Sequence, residues 1–395
     1  MIRKQVIRLL PYLAGARAKL TDLKFRHYQR RTARALKGLT FGPSRLQDPP
    51  LVTLIAIIND QPAVRLQAML DSFLKTSEEA PAQLLLIDAG SSTIDTLDWI
   101  RRAKQIDNVR CLSAKMGSTY AQAFDEGLAQ ATGEFVAALP ADAVLTPKSL
   151  LLICRALAEN PRCELLYTDH AVATATGRVS EVILKPAYDP VLMLHRPYLE
   201  HLCLYRRDAL ARLVAIPQNI PASLAHTYLY MRYCQAANRE NVIHLPYPAV
   251  EIASSEIPPS LAVTRARRER ERIMISDFAQ HDEWDTYVQQ GADPSVHRIR
   301  RFKPNGDWPI VNIIIPHRNA PDRLRKLMQG LVSCTDYPGF RIVFVDGGSD
   351  DQQTLDIYAS FTATHPNITL VQAGQDASLS ASMNLGMSQH ADGHL

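Results

Sequence analysis

The sequence predicts an α/β protein with a mostly parallel sheet and helices on both faces, and three observations carry that prediction. Short apolar runs rich in β-branched residues alternate with stretches of helical apolar spacing. Gly, Ser, Asp and Pro punctuate the junctions between them. The pattern also occurs twice. PPLVTLIAIIND and AQLLLIDAGSSTIDTL are matched about 259 residues later by WPIVNIIIPHRN and FRIVFVDGGSDDQQTL, an offset set by aligning Asp88 with Asp346 and Gly127 with Gly386.

The elements follow in order. Residues 51–58 form an apolar run suited to a buried strand. Apolar side chains at 66, 69, 70, 73 and 74 give helical spacing over 64–75. Residues 84–87 are a second buried strand ending in Asp88 and the turn residues 89–92. Helix 93–104, strand 109–112, helix 119–131 and strand 135–139 complete the first alternation, and the last strand runs into Pro140-Ala141-Asp142. Helix 147–159 carries proline in its first turn. A more irregular half follows, with strands at 165–168, 182–184 and 202–205 and helices over 224–237 and 261–280. The RARRERER run in the last of these reads as a solvated face, with Glu269 and Glu271 bracketed by arginines. A strand at 296–302 and a turn segment at 303–308 lead to the second copy, with strands at 310–315 and 342–345.

Bulk properties narrow the class. A chain of 395 residues allows about two to three domains. An apolar content of 46% and a charged content of 21% suit a globular protein with a buried core. The six cysteines form no CxxC pair and no zinc spacing, which suits reduced thiols and a cytoplasmic setting. No apolar run approaches the ~18 residues of a membrane span, and the start of the chain lacks the apolar core and cleavage site of a secretory signal.

The net charge of +4 conceals an asymmetry. Twelve basic residues crowd the first fifty, opposed by Asp22 and Asp48, so this arm is +10 and the remainder −6. Ile2, Val6, Leu9, Leu10 and Leu13 recur at helical spacing within it. Residues 1–46 therefore read either as a peripheral contact with the inner face of an anionic membrane, or as a basic helix left in solvent or packed on its own domain. Nucleic acid is not an expected partner, because the basic character stops at the arm and no binding motif accompanies it. The expected domains are the arm at 1–49, a first domain at 50–302 and a half-length second copy at 309–395, read as a truncated version of a longer protein.

Asp88 after LLLI, the Gly/Ser turn, a helix with Gly127 near its end, and then GEFVAALPADAVLTP form an order that resembles the family 2 glycosyltransferases. The resemblance is strongest to the tandem-domain enzymes of bacterial polysaccharide and O-antigen assembly, often described as rhamnosyltransferases. LKPAYDPVLMLHRPYLEHLCLYRRDAL and CTDYPGFRIVFVDGGSDDQQTL strengthen it, and it covers about residues 50–395. It implies a GT-A-like fold for nucleotide-diphosphosugar transfer, with one complete domain followed by a truncated copy. It also implies inverting transfer of a sugar from a nucleotide-diphosphate donor to a growing glycan or lipid-linked acceptor.

The resemblance assigns roles residue by residue. Asn59 and Asp88, with Asp346 in the second copy, fall at nucleotide-binding positions, with uridine- or thymidine-type recognition implied at Asp88. Parallel sheets bind ligands at the carboxyl ends of their strands, where Asp88 lies. The other reading of Asp88 is a turn cap bonded to the amides of residues 90 and 91. Asp142 falls at the metal motif, implying a divalent cation, Mn or Mg, against the diphosphate. Here the chain departs from the family, with Pro140 where the first Asp usually stands and Ala143 where another carboxylate often follows. Asp142 is thus a weak ligand or a plain loop residue. His226 falls near the family's catalytic Asp at the start of a late helix, as a base or as a structural histidine. Glu200 and His201 are further candidates on a loop. The departures leave open a second reading, a relic or scaffold that retains the nucleotide-sugar-binding fold. A dinucleotide oxidoreductase is set aside because no GxGxxG follows the first strand.

Overall fold

The computed structural model describes residues 23–27, 51–115, 117–174, 176–213, 216–217, 219–254, 261–279, 285–293, 296–302, 308–390 and 392. The chain divides into two compact units, the first running to Arg300 and the second from Arg301, with Asp285 also counted in the second.

In the first unit the order is β1 (Val52–Ile58), α1 (Ala63–Ser77), β2 (Ala82–Asp88), α2 (Ile94–Ala103), β3 (Val109–Ser113), α3 (Tyr120–Gln130) and β4 (Phe135–Ala138). Then come β5 (Val144–Leu145), α4 (Ser149–Glu159), β6 (Leu165–Ala173), β7 (Val179–Ile183), α5 (Pro190–His195), β8 (Cys203–Arg206) and α6 (Arg207–Ala211). α7 (Ala222–Ala236), β9 (Val242–Ala253) and α8 (Leu261–Ala279) follow, and β10 (Asp285–Gln290) and β11 (His297–Phe302) complete the series, with Asp285, Arg301 and Phe302 counted in the second unit. Every residue of β1 is buried, as a central parallel strand requires. Its side chains alternate between two cores. Leu54, Ala56 and Ile58 meet Leu66, Phe73, Trp99 and Ile153 on one face. Ile55 and Ile57 meet Phe124, Leu224, Tyr230 and Ile275 on the other.

The parallel expectation holds for half of the nine-stranded sheet. Its path is β3-β2-β1-β4-β8-β6-β9-β5, with β7 on β6. β1 pairs in parallel with β2 and β4, and β2 with β3. β8 then runs antiparallel to both β4 and β6, and β5 antiparallel to β9, so the sheet is mixed. β9 has no counterpart in the sequence reading. Its Pro246 and Pro248 argue against a strand, and the register with β6 jumps there, from Thr168 opposite Leu245 to Asp169 opposite Pro248. The extra residues lie on β9, so the ladder is broken at Pro246 and Tyr247 and resumes at Pro248.

The expectation of a solvated face on the RARRERER helix needs correction at one residue. Glu269 pairs with Arg272 at the surface, but Glu271 is 4% exposed and bonds Arg268 at 2.7 Å. Met274, Ile275 and Phe278 on α8 enter the core, and that packing carries Glu271 inward. Within the basic arm, Phe25 is buried against Ala171, Val179 and Val182. The rest of residues 1–46, and the membrane contact expected of them, lie outside the described residues. No helix among the described residues is long and apolar enough to cross a membrane.

The second unit contains β12 (Val311–His317), α9 (Pro321–Cys334), β13 (Phe340–Asp346), α10 (Gln352–Thr364), β14 (Ile368–Gln372) and α11 (Leu379–Met387). Its three strands are parallel in the order β12-β13-β14. Leu324, Met328, Phe344, Ile357 and Tyr358 form its main core.

Candidate functional site

The strand order places the site. From β1 the chain builds outward through β2 and β3, then returns to the other side of β1 at β4. Consecutive connections therefore diverge between β1 and β4, and a crevice opens at the carboxyl ends of strands at such a point. A cleft of about 370 Å³ lies there, lined by Ile57 from β1 and by Leu139, Pro140 and Asp142 after β4. Glu200, His201, His226 and Arg267 supply much of its polar lining.

Asp142 reaches the cleft beside Arg65 of α1, at 3.7 Å. Among the described residues, no group of three or more His, Cys, Asp or Glu side chains is placed to hold a metal ion. A single carboxylate facing a guanidinium is a poor donor set for a hard cation that takes six or more oxygens. Asp142 thus does not form a preformed cation site.

His226 projects from α7 and shares a short hydrogen bond, through Nε2, with the Tyr120 hydroxyl of α3. Its ring is partly buried by area, with one edge at the cleft. Burial among protein atoms lowers its pKa to about 4, so it is neutral at pH 7 and a weak proton acceptor. Glu200 and His201 sit on the loop before β8. The Glu200 carboxylate lies 3.7 Å from Arg267 of α8. His201 and Leu202 both adopt left-handed backbone, with φ of 58° and 48°.

The nucleotide-binding candidates lie at the same end of the sheet but outside the lining of this cleft. Asp88 ends β2, and its Oδ1 accepts from the amides of Gly90 at 3.3 Å and Ser91 at 2.8 Å. These are the two turn bonds that the sequence allowed. Asn59 is exposed, and its amide donates to Gln61 Oε1 at 2.6 Å. The neighbour missed by the sequence reading is Asp60. Its Oδ1 accepts from the amides of Ser92 and Thr93 at 2.8 and 2.9 Å, which ties the loop after β1 to the loop after β2. Those bonds, Thr93 first, lower its pKa to about 2. Its positive φ of 56° was the missing signal, and it cannot be read from residue type alone.

In the second unit, Asp346 is 1% exposed. It accepts from the amide and hydroxyl of Ser349 and from Tyr358 Oη at 3.4 Å.

An α/β crevice with acidic and basic side chains at a strand-order reversal is the class of site that binds nucleotide-bearing ligands. The family model for glycosyl transferase family 2 matches residues 54–212 and 312–394. The chain belongs to that family. It is 28% identical over 314 residues to the O-antigen biosynthesis protein RfbC of Myxococcus xanthus, covering 79% of this chain and 24% of that protein. It is 23% identical over 350 residues to the uncharacterized protein y4gI of Sinorhizobium fredii, covering 87% of this chain and 38% of that protein. The chain thus spans well under half the length of these two relatives. Among solved structures, residues 1–349 of S. aureus TarS in complex with UDP-GlcNAc align with a TM-score of 0.46 at 16% identity, covering 59% of this chain and 68% of that one.

Proposed function

We propose that this chain transfers a sugar, with inversion, from a nucleotide-diphosphate donor to a growing glycan or a lipid-linked acceptor. The observation that carries this reading is the cleft between the carboxyl ends of β1 and β4, which holds Asp142, Glu200, His226 and Arg267 together. Family membership supports it, as does the presence of an O-antigen biosynthesis protein among the relatives. The diphosphate would meet Arg267, and the base and ribose would meet the loops after β1 and β2, where Asn59 and Asp88 lie. For a Mn or Mg ion Asp142 would offer one ligand, and diphosphate and water would have to supply the others. The arm at 1–46 would bring the protein to an anionic membrane surface on the cytoplasmic side.

The test is calorimetric titration of the full chain with UDP, dTDP and GDP, with Mn²⁺ or with chelator, followed by mass spectrometry of nucleotide sugars for released nucleotide. Binding of UDP or dTDP together with donor turnover is the expected result. Failure of all three nucleotides to bind overturns the proposal. The bond between Tyr120 and His226 and the pairing of Asp142 with Arg65 favour one alternative, a scaffold that binds a nucleotide sugar without turning it over. Tight nucleotide binding with no turnover of any donor would select it.

A further inference from the structure

A second cavity, of about 440 Å³, adjoins the first. His170, Glu181, Lys185, Arg196, Tyr198 and Glu200 give it a polar lining. Glu200 is the one residue that lines both cavities. The wall between them is made of imidazoles, since His170 faces the second cavity and His201 the first, with ring centroids 4.7 Å apart edge to face. His170 is 6% exposed, and its Nδ1 has no hydrogen-bond partner among the described residues. A buried ring nitrogen left unpaired on a cavity wall is costly unless a ligand or water completes it.

The loop carrying Glu200 is held in place at some cost. His201 and Leu202 are consecutive non-glycine residues with positive φ, a conformation that persists only where its surroundings enforce it. Lys185 provides the enforcement. Its side chain is 6% exposed, and its ammonium donates to the carbonyl of Glu200 and, at 3.5 Å, to that of His201. Its own backbone amide is anchored on Asp169 Oδ1 at 2.9 Å, and that same oxygen bonds His244 Nε2 at 2.9 Å. A buried lysine thus fixes a strained loop whose tip presents a carboxylate between two cavities.

We infer that the second cavity binds the hydroxyl-rich saccharide acceptor, and that Glu200 is the base that takes the acceptor's proton. This rests on the first cavity being the donor cleft. The acceptor O–H gives its proton to the Glu200 carboxylate, and its oxygen forms a bond to the anomeric carbon. The bond from that carbon to the diphosphate breaks, and its electron pair leaves with the nucleotide diphosphate. Glu200 later releases the proton to water. His170 Nδ1 pairs with an acceptor hydroxyl, and Arg196 and Glu181 at the rim contact its outer hydroxyls. His226, neutral and bonded to Tyr120, positions the floor of the donor cleft.

The experiment titrates the full chain, by saturation-transfer NMR, with UDP and with methyl glycosides of common sugars. It then repeats the titrations on Arg196→Ala, Glu181→Gln and His170→Ala. The expected result is saccharide binding weakened about tenfold, the scale of one lost hydrogen bond, with UDP binding unchanged. Arg196 and Glu181 are exposed, so their variants keep the test readable if His170→Ala fails to fold. For the base, Glu200→Gln should retain UDP and saccharide binding and lose transfer by on the order of 100-fold or more. Glu200→Asp should recover part of the activity. Saccharide binding indifferent to all three rim and wall variants, or no saccharide binding at all, overturns the acceptor site. Transfer preserved in Glu200→Gln, or absent from a wild type that binds both ligands, overturns the base. Absence of UDP binding alone refutes the donor reading and leaves the saccharide titration to decide the second cavity.

Discussion

The two units build the same scaffold and use it differently. In the first, Asp60 at φ 56° ties its loop to the amides of Ser92 and Thr93. In the second, Asn319 at φ 53° does the same to the amides of Asp350 and Asp351. Gly90 and Gly348 both turn at positive φ behind the strand-ending aspartates. Gly127 and Gly386 both let a helix approach the first strand of their unit, since a Cβ at 127 would stand 2.8 Å from Ile55 Cγ2 and one at 386 would overlap Ile314 Cγ2. The difference lies in what surrounds the shared frame. The first unit continues into antiparallel strands that carry buried imidazoles and the cleft. The second closes its aspartate into a bonded network of Ser349, Tyr358 and His317. A shared backbone frame thus fixes where a polar end forms, while the flanking elements decide whether it is open chemistry or sealed structure.

Acid should separate the units most strongly. In the first, burial lowers the pKa of His170 to about 4, with Lys185 adding to the effect, and that of His201 to about 3. His226 is lowered to about 4 by burial as well. Each folded pKa lies below the unfolded value near 6.5, so the unfolded chain takes up protons first as pH falls. Stability is therefore full above about pH 6.5 and is lost from there toward pH 4, by on the order of 2 kcal/mol at pH 5 for the buried His170 alone. In the second unit, burial lowers the pKa of His317, which lies at the end of β12. Hydrogen exchange at pH 7 and pH 5, corrected for intrinsic rates, should show β6 and β8 losing more protection than β13. Equal losses would break the distinction.

The strand-ending aspartates sharpen the contrast. Asp346→Ala removes a buried acceptor from Ser349 and Tyr358 and should destabilise the second unit by about 3 kcal/mol, read in urea unfolding. Asp88→Ala loses only two turn bonds. Its larger effect should be on UDP or dTDP binding, weaker by about 1–3 kcal/mol in calorimetry, with little change in stability. If the two variants behave alike in both assays, the open and sealed roles are wrong.

The paired glycines come next. Gly127→Ala and Gly386→Ala each force a methyl against an isoleucine on the first strand of their unit, and overpacking of that kind costs about 1–3 kcal/mol. The loss should be visible as a lower urea midpoint. An unchanged midpoint at either site would mean that the helix can move away from the sheet.

The smallest effect is expected at the loop ties. Asn319→Asp places a second carboxylate against Asp350, to which Asn319 Nδ2 now donates at 2.9 Å. The cost should be under about 1 kcal/mol and should shrink in high salt. The reverse exchange, Asp60→Asn, removes a carboxylate whose pKa is lowered to about 2 from 3.8 by the Thr93 and Ser92 bonds. Its contribution is present above pH 3.8 and is lost as pH falls through about 2, so acid titration of wild type and variant should diverge only above that range.

Much of the frame was legible in the residues. β-branched runs closed by Asp and Gly located β1, β2, β12 and β13, because such signals are local and side-chain alternation needs no partner to be read. The repeat gave the second unit its element order for the same reason. β9 was not legible, because Pro246 and Pro248 deny a strand unless a bulge within β9 itself accommodates them. Glu271 read as solvated because its burial is set by Met274 and Phe278 meeting a core built elsewhere. Asp142 and His226 were found by motif position, yet their partners Arg65 and Tyr120 are 77 and 106 residues away in sequence.

The sequence by itself determined the strand–helix alternation, the internal repeat, the basic arm and the identity of the polar residues at the strand ends. The tertiary structure alone decided which of those residues share a cleft, that His226 is neutral, that Asp346 is sealed, and that Glu200 stands between two cavities on a loop pinned by Lys185. The physical reason is range. Propensity and patterning act over a few neighbouring residues. Desolvation, ion pairing and cavity shape depend on groups that only the folded chain brings within a few ångströms of one another.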